Sequence, residues 1–398
     1  MCRERGRTQE VRRSGANPGS DRARRRARGV SIRAVRALLP VLARLVVLLA
    51  GSASLGGCGT SHAPASGEEV PEQPPAPPPD PTRFSAERAF GDLRELAEIG
   101  PRVSGTAGAE QARAYLRGEL AAQGLEVVEI ETPRRIEGVP ETALRHLSVT
   151  LPGASPERFL LVAPYDSSRF GSFEFVGAND GASGAALLLE LARVLKERPL
   201  AYTTQLVFLD GEGRADGEGE GPALERWRGS AGLAERMREN GELDSIRLLV
   251  AFHQVCDADL RIARDLSSHR MHREEFFKAA RRVGRPGPFP TDRGFESVDA
   301  SHAAFRERGL RAAVAVSDTR YGGDTAPGAI SETAEDTLEQ CAPESLEAVG
   351  VVTLEALDTI GQRLAKIDRF TRSPLAEAEA AAAERSSPAP EEEPAPLP

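Results

Sequence analysis

The sequence predicts an α/β domain in which a mostly parallel or mixed sheet lies between layers of helices. Two observations indicate this class. Short runs that are apolar throughout, as in strands buried on both faces, recur along the chain, and segments with apolar residues at helical spacing separate them. Strands alternating with helices are typical of a sheet covered on both faces. Such sheets bind ligands at the carboxyl ends of their strands, so the residues that follow each strand are the first candidates for a site.

The boundaries of the predicted elements follow from apolar spacing and from the residues that interrupt it. Residues 85–124 have helical spacing, broken at Gly100, Pro101 and Gly105. The apolar runs predict strands at 125–131, 146–152, 159–165, 204–210, 246–252 and 312–318. Helical spacing predicts further helices at 184–197, near 229–239, at 272–283, at 301–308 and from about 343 to 364.

Residues 1–57 have the pattern of an export signal. They contain thirteen arginines and three acids, with a cationic cluster at 22–28 and a mainly apolar stretch at 37–50 before the small residues that precede Cys58. This order of regions is that of a secretory signal. The Leu-Gly-Gly-Cys end resembles a bacterial lipobox, which predicts that Cys58 is lipidated and anchors an exported protein to a membrane of the cell envelope. Gly59, the next residue, favours the outer membrane.

The segments on either side of the predicted domain have low complexity. Residues 58–83 are rich in proline, which favours an extended tether and cannot form a packed core. Residues 371–398 are dominated by Ala, Glu and Pro, and we expect a frayed helix end followed by disorder. The globular domain is therefore predicted to span 84–370.

Charge and motif content exclude several classes of function. The net charge of −9 argues against a nucleic-acid-binding protein, which needs a basic face. The sequence contains no apolar run of about 20 residues, which argues against a polytopic membrane protein. A Gly-x-Ser-x-Gly elbow, a Walker loop and a dinucleotide fingerprint are all missing from the sequence, which disfavours serine hydrolases and nucleotide-binding enzymes.

Six sequence blocks occur in an order that is specific to one family. They are LLVAPYDSS at 160–168, FVGANDGASGAALLLELARVL at 175–195, LVFLDGEG at 206–213, GSAGLAERM at 229–237, SHAAFRERGL at 301–310 and ETAEDT at 332–337. In this order the chain resembles metallopeptidase family 28, the zinc aminopeptidases, and within it the glutaminyl-peptide cyclotransferases. The resemblance covers roughly residues 84–364 and implies an α/β sandwich that acts on peptide amino termini with the help of zinc.

The resemblance implies a metal centre whose ligands are carboxylates and imidazoles, with one position open for water or substrate. This chain keeps Asp180 at the position of the bridging aspartate and Glu212 at that of the general base, which moves a proton while the metal polarises a carbonyl. It also keeps Asp166, which supports the first ligand in the family. An alternative interpretation of Asp180, from the residues alone, is a helix cap.

The chain departs from the family pattern at the other ligand positions. Pro164 replaces the first histidine and Gly213 replaces the second glutamate of the pair, and neither side chain can bind a metal. His253 stands where the family has an aspartate ligand, and Glu332 stands where it has the last histidine. Ser301 replaces the acid that precedes the histidine of another family block.

Two interpretations of these departures remain open. In the first, metal binding has been lost and the fold serves another purpose. In the second, Asp180, His253 and Glu332 form a rearranged site for one zinc ion, since one imidazole and two carboxylates with a free position can bind zinc. Against the second, a histidine at the end of a strand is more often a hydrogen-bonded structural residue than a ligand.

Four further residues belong to the candidate site or its surroundings. Trp227, the only tryptophan, lies after the Glu212 block as a substrate-pocket tryptophan does in the cyclotransferases, and packing explains it equally well. His302 begins a predicted helix and is a candidate for substrate binding. Cys256 and Cys341 form a disulfide if the protein is exported to an oxidising compartment, but their separation leaves this open.

Two hypotheses on function follow. The chain is a lipid-anchored enzyme that acts on peptide amino termini, with Glu212 as the catalytic base and zinc as cofactor. Alternatively, it is a non-catalytic descendant that binds peptides or an envelope partner in the same cleft. The substituted ligands at Pro164 and Gly213 slightly favour the second hypothesis.

Overall fold

The computed structural model describes residues 83–134, 142–214 and 227–386, with side chains described up to residue 371. These residues lie in one of the two units into which the chain divides, Pro75–Pro398. The predicted signal 1–57, the lipidation site Cys58, most of the tether and residues 387–398 lie outside the described part. Among the described residues, no helix has the length and apolar character needed to cross a bilayer.

Eight strands and seven helices are found in the described part of the chain. The strands are β1 (Val128–Arg134), β2 (Thr142–Leu151), β3 (Ser155–Pro164), β4 (Tyr202–Leu209), β5 (Ile246–His253), β6 (Arg264–Asp265), β7 (Phe295–Glu296) and β8 (Ala313–Ser317). The helices are α1 (Ala86–Glu98), α2 (Ala107–Ala122), α3 (Ser183–Lys196), α4 (Arg228–Glu239), α5 (Arg270–Arg282), α6 (His302–Glu307) and α7 (Pro343–Ser386).

Six strands form the central sheet in the order β1-β2-β4-β3-β5-β8, and β6 pairs with β7 in a separate two-stranded ribbon. The four strands β4, β3, β5 and β8 are parallel to one another, whereas β2 runs antiparallel to both β1 and β4. The mostly parallel, mixed sheet predicted from the sequence is therefore confirmed. The ribbon of β6 and β7, with two residues in each strand, is too short to leave a periodic signal in the sequence.

Strand β3 shows why both faces of the sheet need cover. Its residues Phe159, Leu161 and Ala163 point to one side, where they join a core with the leucines of α3. Leu160 and Val162 point to the other side and pack in a second core with α4 and α6. Each fully buried leucine contributes about 2 kcal/mol to folding. The result is a three-layer sandwich of helices, sheet and helices.

Helix α7 is longer than the sequence predicted. It begins at Pro343, as expected, but continues to Ser386 instead of ending near residue 364. The physical reason is the composition of residues 375–385, since alanine and glutamate have high intrinsic helix propensity and can extend a helix that the core has already nucleated.

A disulfide joins Cys256 and Cys341, a pairing that the sequence left open. The two Cα atoms are 4.7 Å apart, and the two residues are separated by 85 positions. The bond connects the segment that follows β5 with the start of α7, and the amide of Ala342 donates a hydrogen bond to the carbonyl of Cys256 beside it. The bond thus closes a loop of the chain that runs from the end of β5 to the start of α7.

Candidate ligand-binding cleft at the carboxyl ends of the strands

The fold brings the candidate residues together at one edge of the sheet. Pro164 ends β3 and His253 ends β5, while Glu212 follows β4 by three residues. Asp180 lies in the irregular turn Ala178–Ala182 that precedes α3. Because β3, β4 and β5 are parallel, their carboxyl ends meet here, which is the position that the sequence analysis expected for a site.

The turn that carries Asp180 is held by hydrogen bonds to its backbone. The amides of Asn179 and Asp180 donate to the two carboxylate oxygens of Asp336 at 2.7 and 3.0 Å. Gly181 has a φ of +102°, and a Cβ atom there would lie 2.1 Å from the carbonyl oxygen of Asp166. Only glycine fits this close approach, so the direction of the Asp180 side chain is set by its neighbours.

Arg102 is the main support of this edge, although the sequence analysis did not identify it. It is completely buried and donates to four carbonyl groups that belong to different segments. The acceptors are Leu96, Gly100, Tyr165 and Gly177. Burial lowers the pKa of Arg102 to about 10, partly offset by the nearby carboxylates Asp166, Asp336 and Asp180, so the side chain remains a cation at neutral pH.

The loop after β4 is positioned by Asp166. Its two carboxylate oxygens accept from the amides of Glu212 and Gly213 at 3.1 and 2.9 Å. Burial and the neighbouring Asp210 raise the pKa of Asp166 well above its ordinary value. Asp166 therefore supports the loop after β4, whereas the first ligand that it supports in the family is replaced here by Pro164.

Glu212 is buried, and both of its carboxylate oxygens are hydrogen-bonded. The amide of Ser230, in the first turn of α4, donates to Oε1 at 2.5 Å, and the Ser230 hydroxyl donates to Oε2 at 3.2 Å. The hydroxyl of Ser301 donates to Oε2 at 2.5 Å. Burial raises the pKa of Glu212 to about 7, although these hydrogen bonds favour the charged form. The carboxylate thus accepts a helix N-terminal amide as a capping side chain does.

His253 lies next to the same serine. Its Nε2 atom is 2.8 Å from the Ser301 hydroxyl, and burial lowers the pKa of the imidazole to about 3. His253 is therefore neutral at physiological pH. The array formed by Glu212, Ser301 and His253 is continuous and buried, with Ser301 fully shielded from solvent. The position of His253 at the end of β5 was predicted from the sequence, but the role of Ser301 between His253 and Glu212 was not.

Glu332 is paired with an arginine. The guanidinium of Arg214 forms an ion pair with Glu332 Oε1, and the two side chains are 34% and 35% exposed. Glu332 has a φ of +58°, a left-handed backbone conformation that is uncommon outside glycine. Gln254 also has a positive φ, +50°, and its side-chain amide donates to the hydroxyl of Ser331. The side chains of these two residues, Glu332 and Gln254, line the same cavity.

Two connected sets of residues enclose the cleft. An inner space of about 30 Å³, room for about one water molecule, lies among Asp180, Glu212, His253, Glu332 and Arg214. An outer cavity of about 340 Å³ shares most of these side chains and is lined further by Gln254, Ser297, Asp299, Ser317, Thr319 and Ser331, while Trp227 lines both spaces.

Trp227 forms part of the cavity wall. Its ring meets the His253 ring edge-on, with 5.2 Å between ring centroids, and its indole N–H donates to Asp299 Oδ1 at 2.7 Å. His302, the second candidate for substrate binding, is completely buried, and its Nε2 atom contacts Asp265 and Ser267. In the described part of the chain it lines neither cavity, so it supports the fold instead of contacting a ligand.

The residues present do not fit the zinc site that the resemblance implies. Pro164 and Gly213 have no donor atoms, and within the described ranges no group of three or more His, Cys, Asp or Glu side chains is placed to bind a metal. Asp180, His253 and Glu332 share the cleft, as the rearranged-site hypothesis expected. However, Ser301 engages His253, and Arg214 neutralises Glu332, so the structure does not bring the three into a coordinating cluster.

The loss of the ligand at Gly213 is built into the backbone. A Cβ atom at this position would lie 2.4 Å from the carbonyl oxygen of Ser167 and 2.8 Å from the amide nitrogen of Ser168. Both contacts are with backbone atoms, which cannot move aside as a flexible side chain can. The loop therefore follows a path that a glutamate could not adopt without rearrangement.

The comparisons with known proteins agree with this architecture. The model of Peptidase family M28 matches residues 147–357, more than half of the chain. A glutaminyl-peptide cyclotransferase of Drosophila melanogaster is 32% identical over 174 residues, which cover 40% of this chain and 46% of that protein. The chain thus matches less than half the length of this curated relative.

Solved structures give the same result over a longer stretch. A glutaminyl cyclase from an Acidobacteriales bacterium has a TM-score of 0.63 and 28% identity, covering 75% of this chain and all of that one. A Zn-dependent exopeptidase from Parabacteroides distasonis has the same fold, with a TM-score of 0.62 and 20% identity over 69% of this chain and 98% of that one. By sequence and by fold, the chain belongs to peptidase family M28.

Proposed function

We propose that this chain is a non-catalytic member of its family that binds the amino-terminal ends of peptides in the cleft. The observation that carries the proposal is the state of Glu212. Both carboxylate oxygens of this residue, the general base of the family by resemblance, already accept hydrogen bonds from Ser230 and Ser301. A carboxylate held in this way supports α4, and the family's chemistry also uses a metal, for which Pro164 and Gly213 have no donor atoms.

The chemistry of the outer cavity indicates the class of ligand. Three carboxylates, Asp180, Asp299 and Glu332, line the cavity, against one cation, Arg214. An acidic cavity with an aromatic wall favours a ligand with an amino group and an apolar body, because the carboxylates attract the ammonium and Trp227 packs on the rest. Peptide amino termini have this chemistry, and the relatives are named after glutaminyl peptides.

A second candidate function is supported by the pKa of Glu212. A value of about 7 is what a general base or acid needs for proton transfer near neutral pH. If the chain is an enzyme, Glu212 would move a proton from the attacking amine to the departing ammonia of an amino-terminal glutamine. The substituted ligand positions weigh against this candidate, since the chemistry of the family uses a metal to polarise the reacting group.

The proposed location is the cell envelope. The sequence pattern at 1–57, with Cys58 as the lipidated residue, supports an exported protein anchored by lipid. The proline-rich segment that follows would hold the binding domain away from the membrane surface. A peptide-binding domain at this position would meet peptides of the envelope, and no nucleic acid is expected among its partners.

Trp227 provides a direct test, because it is the only tryptophan in the chain and lies in the cavity wall. The full-length chain, with EDTA present, is titrated with a tryptophan-free peptide that begins with glutamine, and with the same peptide after amino-terminal acetylation. We expect a saturable fluorescence change with the free peptide and at least about tenfold weaker binding of the acetylated one, since about 1.4 kcal/mol is tenfold. Asp180→Asn should weaken binding, whereas Asp244→Asn, exposed and outside the cleft, should not.

Two outcomes would overturn the proposal. The absence of any fluorescence change with either peptide, at concentrations up to about 1 mM, would remove the claim that the cleft binds peptides. Release of ammonia from the free peptide, abolished in Glu212→Ala while that variant stays folded, would show that the chain is an enzyme and would support the second candidate.

A further inference from the structure

The cleft contains carboxylates at two positions where the resemblance implies metal ligands, and a cation lines the same space and pairs with one of them. Asp180 and Glu332 line both the inner and the outer space, and Arg214 lines both with them. The Arg214 guanidinium forms an ion pair with Glu332. Burial raises the pKa of Asp180 to about 6, and Arg214 opposes this rise by favouring the charged form. One side chain thus neutralises Glu332 and shares both spaces with Asp180, which belongs to a different segment of the chain.

The backbone of Arg214 is fixed at both of its polar groups. Its amide donates to the hydroxyl of Ser168 at 3.1 Å, and its carbonyl accepts from the amide of Arg169 at 2.6 Å. These bonds attach the Arg214 backbone to the segment that follows β3. Gly213, immediately before it, packs its Cα against the same segment. The loop path that excludes a side chain at 213 therefore also places Arg214 at the entrance of the inner space.

Other positive charge near these carboxylates is limited. Arg102 is the second cation that acts on Asp180, but its guanidinium is fully buried and donates to four backbone carbonyls. His253 is held in its neutral form by burial. Asp336, which faces Asp180 from the segment before α7, adds a further carboxylate. Without Arg214, the carboxylates of Asp180, Asp299 and Glu332 would line the outer cavity, and no other arginine or lysine among the described residues lines it.

We propose that the guanidinium of Arg214 is a built-in cation that takes the electrostatic place of the metal in this cleft. It holds Asp180 and Glu332 together and prevents a divalent ion from binding between them. This inference concerns the charge balance of the cleft and does not depend on whether the cleft binds peptides. A negative peptide titration would therefore not contradict the role of Arg214. Equally, a negative result for Arg214 would not contradict peptide binding.

The first test is a double-mutant cycle on the stability of the full-length chain, measured by urea unfolding. Arg214→Ala leaves Glu332 without its counter-ion and should destabilise the chain, which raises the unfolding equilibrium constant. Glu332→Gln in addition should restore most of the loss, so the two changes should couple by at least about fivefold. Arg214→Lys should remain close to the parent, and Arg169→Ala, an exposed neighbour, should have little effect. If Arg214→Ala does not fold, a folded double variant of Arg214→Ala and Glu332→Gln would show the same coupling between the two residues.

The second test measures Zn²⁺ binding in competition with a chromophoric chelator. The parent, Arg214→Lys and Arg169→Ala should bind no zinc at micromolar concentration. Arg214→Ala should bind Zn²⁺ at least about tenfold more tightly than the parent, because loss of the guanidinium exposes two carboxylates to the ion. If Arg214→Ala does not fold, Arg214→Gln is used in its place. Additive effects in the cycle would overturn the proposal, and so would equal zinc affinities of the parent and the Arg214→Ala chain.

Discussion

The hydroxyl of Ser301 donates a hydrogen bond of 2.5 Å to Oε2 of Glu212, and the same hydroxyl lies 2.8 Å from Nε2 of His253. By resemblance, all three residues occupy positions where the family has acidic side chains, and two of the acids have been exchanged for neutral groups. The remaining carboxylate is therefore hydrogen-bonded to a serine hydroxyl at a position where the family has another acid. This arrangement suits a structural acid in a buried cleft, and it has consequences for stability that can be measured.

The pH dependence of stability tests the environment of Glu212. Its pKa in the folded chain is raised from 4.5 to about 7, so the folded state holds the proton more tightly than the unfolded state. This contribution is fully present below about pH 4.5 and is lost as the pH rises through about 7. Glu212→Gln removes it, and the variant should gain up to about 3 kcal/mol relative to the parent between about pH 5 and pH 8.

Urea unfolding at a series of pH values checks this prediction. Glu174→Gln, which changes an exposed glutamate, should follow the parent at every pH. Parallel stability curves for the parent and Glu212→Gln would show that burial does not raise the pKa of Glu212.

Arg102 should be among the most sensitive positions of the fold. Arg102→Met keeps the apolar stem but leaves four buried carbonyl groups without their donor. We expect a loss of about 3 kcal/mol or more in the free energy of unfolding, because buried polar groups without partners are costly. Arg311→Met, at an exposed position, should change the value by less than about 0.5 kcal/mol. Similar losses in the two variants would contradict the supporting role assigned to Arg102.

Restoring the family ligand at position 213 should damage the fold. The Cβ of Gly213→Glu meets the Ser167 carbonyl oxygen at 2.4 Å, so the loop after β4 must shift. We expect a loss of about 3 kcal/mol, in the range of overpacked buried sites. Gly118→Glu is the matched control, since this exposed helix position has open space around it and a glutamate there favours the helix. A folded, fully stable Gly213→Glu chain would show that the loop adapts readily, and it would then justify adding Pro164→His to rebuild a zinc site.

The disulfide between Cys256 and Cys341 should contribute to stability. Closing a loop with a sequence separation of 85 restricts the unfolded chain and is worth about 4 kcal/mol in the loop-entropy description. The double variant Cys256→Ala, Cys341→Ala should lose a large part of this amount in urea unfolding, and a reductant should destabilise the parent but not the variant. Equal stability of the parent with and without reductant would contradict the prediction.

Much of the fold could be predicted from the sequence, because apolar runs and helical spacing depend on nearest neighbours in the chain. The six central strands lie within a few residues of where this spacing placed them, and so do the helices, including α1 and α2 on either side of the predicted break at 100–105. The end of α7 differs because composition predicts low complexity in a segment where alanine and glutamate extend a helix. The β6 and β7 ribbon depends on long-range pairing that no local pattern records.

The site could be predicted only in part. Asp180, Glu212, His253 and Glu332 do meet in one cleft, as block order and strand ends indicated. The roles of Arg214 and Arg102 could not be read from the sequence, since an arginine in an acidic loop and one after a Gly-Pro break look like surface charge. What distinguishes them is their partners, which come from segments distant in the chain. The sequence showed that Gly213 replaces the second glutamate of the family pair. The close backbone contact that leaves no room for a side chain at 213 became visible only in the structure.

The measurement that tests the central claim most directly is the zinc content of the full-length chain. After purification without chelators and dialysis against micromolar zinc, metal per chain is counted by elemental mass spectrometry. The account predicts a folded protein with far less than one zinc per chain, because Arg214 already pairs with Glu332 and because Pro164 and Gly213 have no donor atoms. About one tightly bound zinc per chain, lost in Asp180→Asn, would contradict it and would show that the chain retains a metal centre of the kind found in zinc enzymes.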